Sequence, residues 1–262
     1  MHILKHPSTS TENEHIHVTE LKISEHFSVK LLNRFKPIDL VDLATRRGML
    51  GVSIKNSRFT NALISAFARM CSDRLAQGLV TIVDRPYERN ISATGRGPGW
   101  EHAEIEKLRR IAAETRVRVM RMLAKEGAGQ IQLLDWSALA EMTPAWLVDE
   151  IRRGWNRRGP FYEDILSETR AVIPSIEKSK LERYAEFVLE ELPVLLHLYY
   201  FSGEQVVDFY PGPPPKLFWK LESGAYAEEL PEFMRQIIRR EGLIYAHIIE
   251  LRDQKGTLNL SD

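Results

Sequence analysis

The chain has 262 residues and no formal net charge, with 44% hydrophobic and 27% charged residues. That is enough for a sizeable core in one large domain or two small ones, in an ordinary globular balance. A single cysteine, Cys71, excludes an internal disulfide; no Cys/His array offers a zinc framework, no run nears the ~20 apolar residues of a membrane span, and affinity for a polyanion must come from local clustering.

Residues 1–20 are polar and rich in His, Ser and Thr, without an apolar signal-peptide core. Residues 1–19 therefore read as a disordered leader of a cytoplasmic protein, and 20–262 as a single α/β domain. Leu21, Ile23, Phe27, Val29, Leu31 and Leu32, broken by Pro37, predict a strand and a short connecting helix. Met49–Val52 is a short buried strand ending at Ser53, with Asn56 three residues on. A strand that stops at a hydroxyl and turns into a helix holds that hydroxyl at the carboxyl edge of a sheet, where open α/β folds bind ligands. On spacing alone a lone Gly-x-Ser is a weak signal, and Ser53 reads first as the cap of the helix that follows.

Phe59, Leu63, Phe67, Met70 and Leu75 recur at helical spacing through Gln77, with Cys71 a small buried hydrophobe among them and Gly78 placed as a helix C′ residue. Leu79–Val83 is a β-branched run that predicts a second, parallel strand, completing a right-handed βαβ unit. Asn90–Trp100, with Gly95, Gly97, Pro98 and Gly99, reads as a loop; it lacks the strand context and the Lys-Ser/Thr of a phosphate-binding loop.

Glu101–Glu126 is a long helix with Ile105, Leu108, Ala112, Val119 and Met122 on its apolar side. Lys107, Arg110, Arg118, Arg121 and Lys125 line another face, with Arg109 and Arg116 beside them. This is a polyanion-sized patch on a neutral protein, read either as a solvated face or as a nucleic-acid backbone site.

Gln130–Trp136 predicts a third strand, Pro144–Trp155 and Tyr162–Val172 two helices, and Lys178–Tyr200 a second long helix kinked at Pro193. Glu204–Pro211 predicts a fourth strand closed by the Gly212–Pro215 loop, Pro231–Arg240 a short helix followed by Gly242, and Leu243–Glu250 a last strand. Glu191, on the long helix, and Tyr210, at a strand end, are the candidates to join Ser53 as acid/base groups.

Taken together, the chain resembles the cyclodipeptide synthases. Gly51-Val52-Ser53 with Asn56 matches that family's first motif, Phe187-Val188-Leu189-Glu190-Glu191-Leu192-Pro193 its second, and Tyr210 its strand-terminal tyrosine. The cationic Lys107–Lys125 helix corresponds to the one that holds tRNA. The resemblance runs in order from about residue 20 to 250, through short motifs whose specificity lies in their order and spacing. It implies a Rossmann-like parallel sheet flanked by helices, similar to the catalytic domain of class I tyrosyl- and tryptophanyl-tRNA synthetases. His-x-Gly-His and Lys-Met-Ser-Lys-Ser, the ATP-site signatures of those enzymes, are not in the sequence.

The implied activity joins two aminoacyl groups, taken in turn from two aminoacyl-tRNAs, into a cyclic dipeptide. No cofactor, metal, DNA or membrane takes part, and a monomer is expected. Ser53 would carry the acyl group, Glu191 bind and deprotonate the amine, Tyr210 relay protons, and Asn56 and Gly51 shape the serine turn. The chain departs from the family at Phe187, where a tyrosine is usual, with Tyr184 one turn earlier as a substitute hydroxyl. It departs again at Arg47, where a histidine is usual, and in combining Asn56 with Tyr210-Pro211. Asp164, Glu168 and Asp208 would suit a cationic side chain if they line a pocket. The competing readings are a serine hydrolase or acyltransferase and a non-catalytic RNA-binding protein. The first would need a histidine near Ser53, and Gly51-Val52-Ser53-Ile54-Lys55 lacks the glycine two residues after the nucleophile of a hydrolase elbow.

Overall fold

A computed structural model describes residues 16–23, 27–33, 36–172, 176–202, 205–211, 216–237 and 244–250. In chain order these form β1 (His17–Lys22), β2 (Phe27–Asn33), a 3-10 turn (Asp42–Thr45), β3 (Arg47–Ser53), α1 (Asn61–Arg74), β4 (Gln77–Val83), α2 (Arg85–Ala93) and α3 (Pro98–Lys125). There follow β5 (Ile131–Asp135), α4 (Trp136–Met142), α5 (Ala145–Asn156), α6 (Pro160–Val172), a 3-10 turn (Lys178–Lys180) and α7 (Leu181–Leu196). A π turn (His197–Phe201), β6 (Val206–Tyr210), α8 (Lys216–Glu222), α9 (Pro231–Ile237) and β7 (Ile244–Glu250) complete the order.

The strands make one seven-stranded sheet in the order β1-β2-β7-β6-β3-β4-β5. From β7 to β5 all pairings are parallel, and the chain reverses its direction of travel across the sheet between β3 and β6. That reversal is the topological switch point at which doubly wound sheets bind ligands. Parallel strands buried on both faces are mostly apolar runs, as Leu79–Val83 already suggested. Met49, Leu79 and Val83 pack with α4–α9, while Leu50, Val52, Val80 and Ile82 pack with α1 and α3.

Several expectations are corrected. β1 and β2 form an antiparallel hairpin on β7, so the sheet is mixed, and a second strand stands beside the one predicted there. β1 begins at His17, inside the stretch read as a leader; its backbone pairs with β2, while residues 1–15 lie outside the described residues. Gly78 lies in β4, not at a helix C′, because Leu75 turns the chain extended at the end of α1. A Cβ at Gly78 would lie 2.9 Å from Cys71 Sγ and 2.8 Å from an Ile131 side-chain atom, so the glycine lets α1 and β5 close on β4.

Residues read as loop from Asn90 are largely helical. Asp84 caps α2 by accepting from the Arg85 N–H, Pro86 sits at its start, and only Thr94–Gly97 separates it from α3. Gly95 and Gly97 turn that corner at φ 65° and 97°. Trp136, read as a strand end, opens α4, and α8 was not predicted. The Gly212–Pro215 loop, Glu204, Arg240, Gly242 and Leu243 lie outside the described residues.

Candidate active site

Ser53 is the last residue of β3 and is half-buried. It does not cap a helix. Asn56 and Phe59 N–H groups donate back to the Ser53 and Asn56 carbonyls, making two successive turns, and the cap of α1 is Thr60, whose hydroxyl accepts from Leu63 N–H at 3.2 Å. Asn56 Oδ1 accepts from Arg58 N–H at 3.0 Å, and the Asn56 side chain also bonds the Tyr210 hydroxyl. Tyr210 closes β6 with its ring edge-on to Phe59 at 5.8 Å.

Ser53 pairs in register with Val83, the last residue of β4, and four residues beyond Val83 the first turn of α2 presents Tyr87. The Tyr87 and Ser53 hydroxyls are 2.5 Å apart. The Tyr87 ring lies against Phe187 of α7, centroids 5.3 Å apart, with Lys55 Nζ 5.5 Å from the centroid of the Tyr87 ring. Burial raises the Tyr87 phenol above its ordinary pKa; the Ser53 hydrogen bond opposes this, and electrostatic repulsion from Glu191 and then from Tyr210, should it ionise, adds to it.

These groups share one cavity of about 220 Å³. Met49, Gly51 and Ser53 face it from β3, Asp208 and Tyr210 from β6, Val83 and Tyr87 from the β4–α2 corner, and Phe187, Val188, Glu191, Leu192 and Leu195 from α7. Alternation along β3 and β6 puts every second residue on this face, and α7 supplies a helical stripe. Gly51 lines the cavity beside Ser53, and a Cβ there would stand in ordinary contact with Val83 Cγ2 at 3.4 Å. α7 is held over the site by Arg89–Glu190 from α2 (2.7 Å) and Arg152–Glu186 from α5 (2.7 Å). Pro193 lies within α7, which runs on into the π turn.

The cavity is acidic inside. Burial pushes Glu191 up to about 7, and the charge of Asp208 adds to the effect. Burial pushes Asp208 up to about 7 as well, opposed by the hydroxyl of Tyr199, which donates to it. Tyr210 is raised by burial first and by Glu191 second, with the Asn56 hydrogen bond opposing. Two carboxylates poised near neutrality in one cavity with a strand-end serine are a proton-handling arrangement.

The structure therefore brings together Ser53, Gly51, Glu191, Tyr210, Phe187 and Asp208, with Asn56 behind Tyr210. It does not bring in Tyr184: seven residues before Glu191, it is ~10 Å back along the helix and outside the lining residues. Asp164 is also outside, bound by Lys220 at 2.7 Å and by the Tyr226 hydroxyl at 2.7 Å, whereas Glu168 does line the cavity. Tyr87 is the residue that sequence reasoning missed. Its signal was Asp84-x-Pro86 directly after a β-branched run, which marks a helix start at the strand end.

The cationic helix α3 packs on α1 and α2 through Leu108, Ala112, Thr115, Val119 and Leu123. Its seven cations divide. Arg109 is held by Glu88 (3.2 Å) and Glu106 (2.9 Å), Arg116 pairs with Asp135, and Lys107 reaches Glu104 at 3.6 Å. Arg118 is half-buried. Arg110, Arg121 and Lys125 are exposed with no ion-pair partner among the described residues, flanked by exposed Val117 and Met120. The patch is smaller than its sequence suggested, because two of the arginines turn back onto the protein. Among the described residues no His, Cys, Asp and Glu group is arranged to hold a metal ion, and no helix is long and apolar enough to cross a membrane.

No protein-family model and no curated protein sequence matches the chain. Solved structures do. A cyclo(L-leucyl-L-phenylalanyl) synthase is 19% identical, with a TM-score of 0.61 over 90% of this chain and 99% of that one. A cyclodipeptide synthase from Bacillus thermoamylovorans is 17% identical, with a TM-score of 0.60 over 88% of this chain and 99% of that one. A Mycobacterium tuberculosis protein, described as demonstrating that cyclodipeptide synthetases are related to type I tRNA synthetases, is 12% identical, with a TM-score of 0.58 over 92% of this chain and 99% of that one. At these identities the likeness is one of fold: the chain has the α/β fold of the cyclodipeptide synthases.

Proposed function

We propose that this protein is a tRNA-dependent cyclodipeptide synthase in which Ser53 carries the first aminoacyl group. The observation that carries the reading is the Ser53–Tyr87 hydroxyl pair at the switch point of this fold, in one cavity with Glu191 and Tyr210. Ser53 Oγ attacks the ester carbonyl of the first aminoacyl-tRNA; the bond to the ribose oxygen breaks, and the serine proton passes through Tyr87 to that oxygen. The amine of the second aminoacyl-tRNA then attacks the Ser53 ester, and the Ser53 oxygen leaves with a proton. The free amine of the resulting dipeptidyl-tRNA attacks its own ester carbonyl, closing the six-membered ring and releasing the second tRNA.

Both attacks need a neutral amine, and Glu191, poised near 7, accepts its proton. Tyr87 supplies beside Ser53 the hydroxyl that Phe187 lacks. Exposed Lys55 and Arg58 on the Ser53 loop give the mouth a positive rim over an acidic interior, suiting an RNA phosphate outside and an amine inside. Arg110, Arg121 and Lys125 would take further phosphates.

A histidine-assisted serine hydrolase is less well supported, because no histidine among the described residues lines the cavity. The test is incubation with mixed aminoacyl-tRNAs and mass spectrometry of the small-molecule fraction. Cyclic dipeptide made by the wild type and abolished in Ser53→Ala is expected. Binding of tRNA with no product would instead favour the non-catalytic reading.

A further inference from the structure

We propose that the cavity selects an aminoacyl group with a long basic side chain, whose ammonium or guanidinium is received by Asp208 and Glu168. This deepens, and rests on, the cyclodipeptide synthase reading.

The first argument is charge balance. Among the described residues three carboxylates line the cavity, those of Glu168, Glu191 and Asp208, and no Lys, Arg or His does. Asp208 is 9% exposed and, among the described residues, is met by the Tyr199 hydroxyl alone, which satisfies one of its acceptor positions. Glu168 has no hydrogen-bond or ion-pair partner among the described residues. Beside Asp208 across the β6–β7 ladder, Tyr245 is 3% exposed with its hydroxyl unpaired, behind Phe218. A buried carboxylate is costly to ionise without a cationic partner. Here the partner is the ligand.

The second argument is depth. Asp208 is in register with Met49, four residues before Ser53 on β3. At ~3.3 Å per residue this sets it ~13 Å further down the sheet than the acyl-carrying serine. The α-amine of an aminoacyl ester is bound to the carbon next to the carbonyl, so it stays near Ser53 and is left to Glu191. Only the far end of a long side chain reaches Asp208. In the same cavity, Met49, Leu192, Leu195, Leu217 and Phe218 present apolar walls that suit the methylenes of lysine or arginine, with the charge at the tip. A long neutral side chain would desolvate Asp208 and return nothing, a mismatch that sites built around a polar partner reject strongly.

The test uses purified full-length protein with tRNA pools charged with single amino acids, arginine, lysine, leucine, phenylalanine and methionine, in pairwise combination. Cyclic dipeptides are read by mass spectrometry. Products containing arginine or lysine are expected to exceed wholly neutral ones by about 100-fold at equal substrate. Asp208→Asn should lower that ratio at least tenfold, and Glu168→Gln should lower it too, giving a second reading if Asp208→Asn folds poorly. Neutral products alone, or a ratio untouched by both variants, would overturn the substrate assignment while leaving the reaction in place. No cyclic dipeptide and no acyl adduct from any pool would overturn the reaction and this inference with it.

Discussion

The hydroxyls of Ser53 and Tyr87 meet at 2.5 Å, although 34 residues separate them in the chain. The contact follows from the register of β3 and β4, which end side by side at Ser53 and Val83, and from a helix that starts directly after β4. It makes Tyr87 the group through which the Ser53 proton can leave. Tyr87→Phe keeps the ring on Phe187 and removes only that route. Formation of the acyl-enzyme should slow about 100-fold, in the range of a lost general acid/base, with the thermal midpoint little changed. Rapid-quench measurement of the first tRNA release checks it; an unchanged rate would reduce Tyr87 to packing.

The role proposed for Glu191 lies in a different step. Glu191→Gln should still acylate Ser53 but fail to deprotonate the incoming amine, so acyl-enzyme accumulates while cyclic product falls by a hundredfold or more. In the wild type, product formation from preloaded enzyme should rise with pH through about 7, where Glu191 loses its proton beside Asp208, and Glu191→Gln should flatten that limb. A profile with the same limb in both proteins would assign it to another group.

The same two carboxylates make the fold sensitive to pH in the opposite sense from an ion-paired acid. Glu191 is raised from 4.5 to about 7, so between these values the folded state holds more protons than the unfolded one. Its favourable contribution is complete below the lower value and is lost as pH rises through the upper one. Asp208 behaves alike. Glu191→Gln or Asp208→Asn should therefore stabilise the protein at pH 8, by about 2 kcal/mol, and much less at pH 4. Denaturant midpoints at the two pH values decide this, and a larger gain at pH 4 would contradict it.

Charge reversal on α3 should separate the free cations from the tied ones. Arg110→Glu and Arg121→Glu should weaken tRNA binding and shallow its salt dependence by about one counterion each. Arg116→Gln, whose side chain pairs with Asp135, should change either little. Fluorescence anisotropy of labelled tRNA across a salt series provides the comparison, and equal effects at Arg110 and Arg116 would count against the division.

Much of the sheet could be read from the chain because parallel strands buried on both faces are continuous apolar runs, as at Met49–Val52 and Leu79–Val83. The long helices were legible through their period. What escaped lay where glycine and proline carry a second meaning. Gly78 looked like a helix end and is a point of close approach to Cys71; Asn90–Trp100 looked like a loop and holds one helix end and the next helix start. Ser53 and Tyr210 stand at strand ends and Glu191 on a helical stripe, whereas Asp208 lies in the middle of β6. Tyr87 was not legible, since its role arises from register across two strands rather than from any local pattern. Tyr184 was placed by helical phase alone, which gives the face of a helix but not how far along it the cavity extends.

Whether Ser53 carries the acyl group is the centre of the account. Intact-protein mass spectrometry of enzyme quenched after mixing with one species of aminoacyl-tRNA tests it directly. The account predicts a mass increase of one aminoacyl residue, mapped by digestion to the peptide holding Ser53 and missing from Ser53→Ala. Cyclic dipeptide formed by Ser53→Ala, or an adduct mapped to another residue, would contradict it.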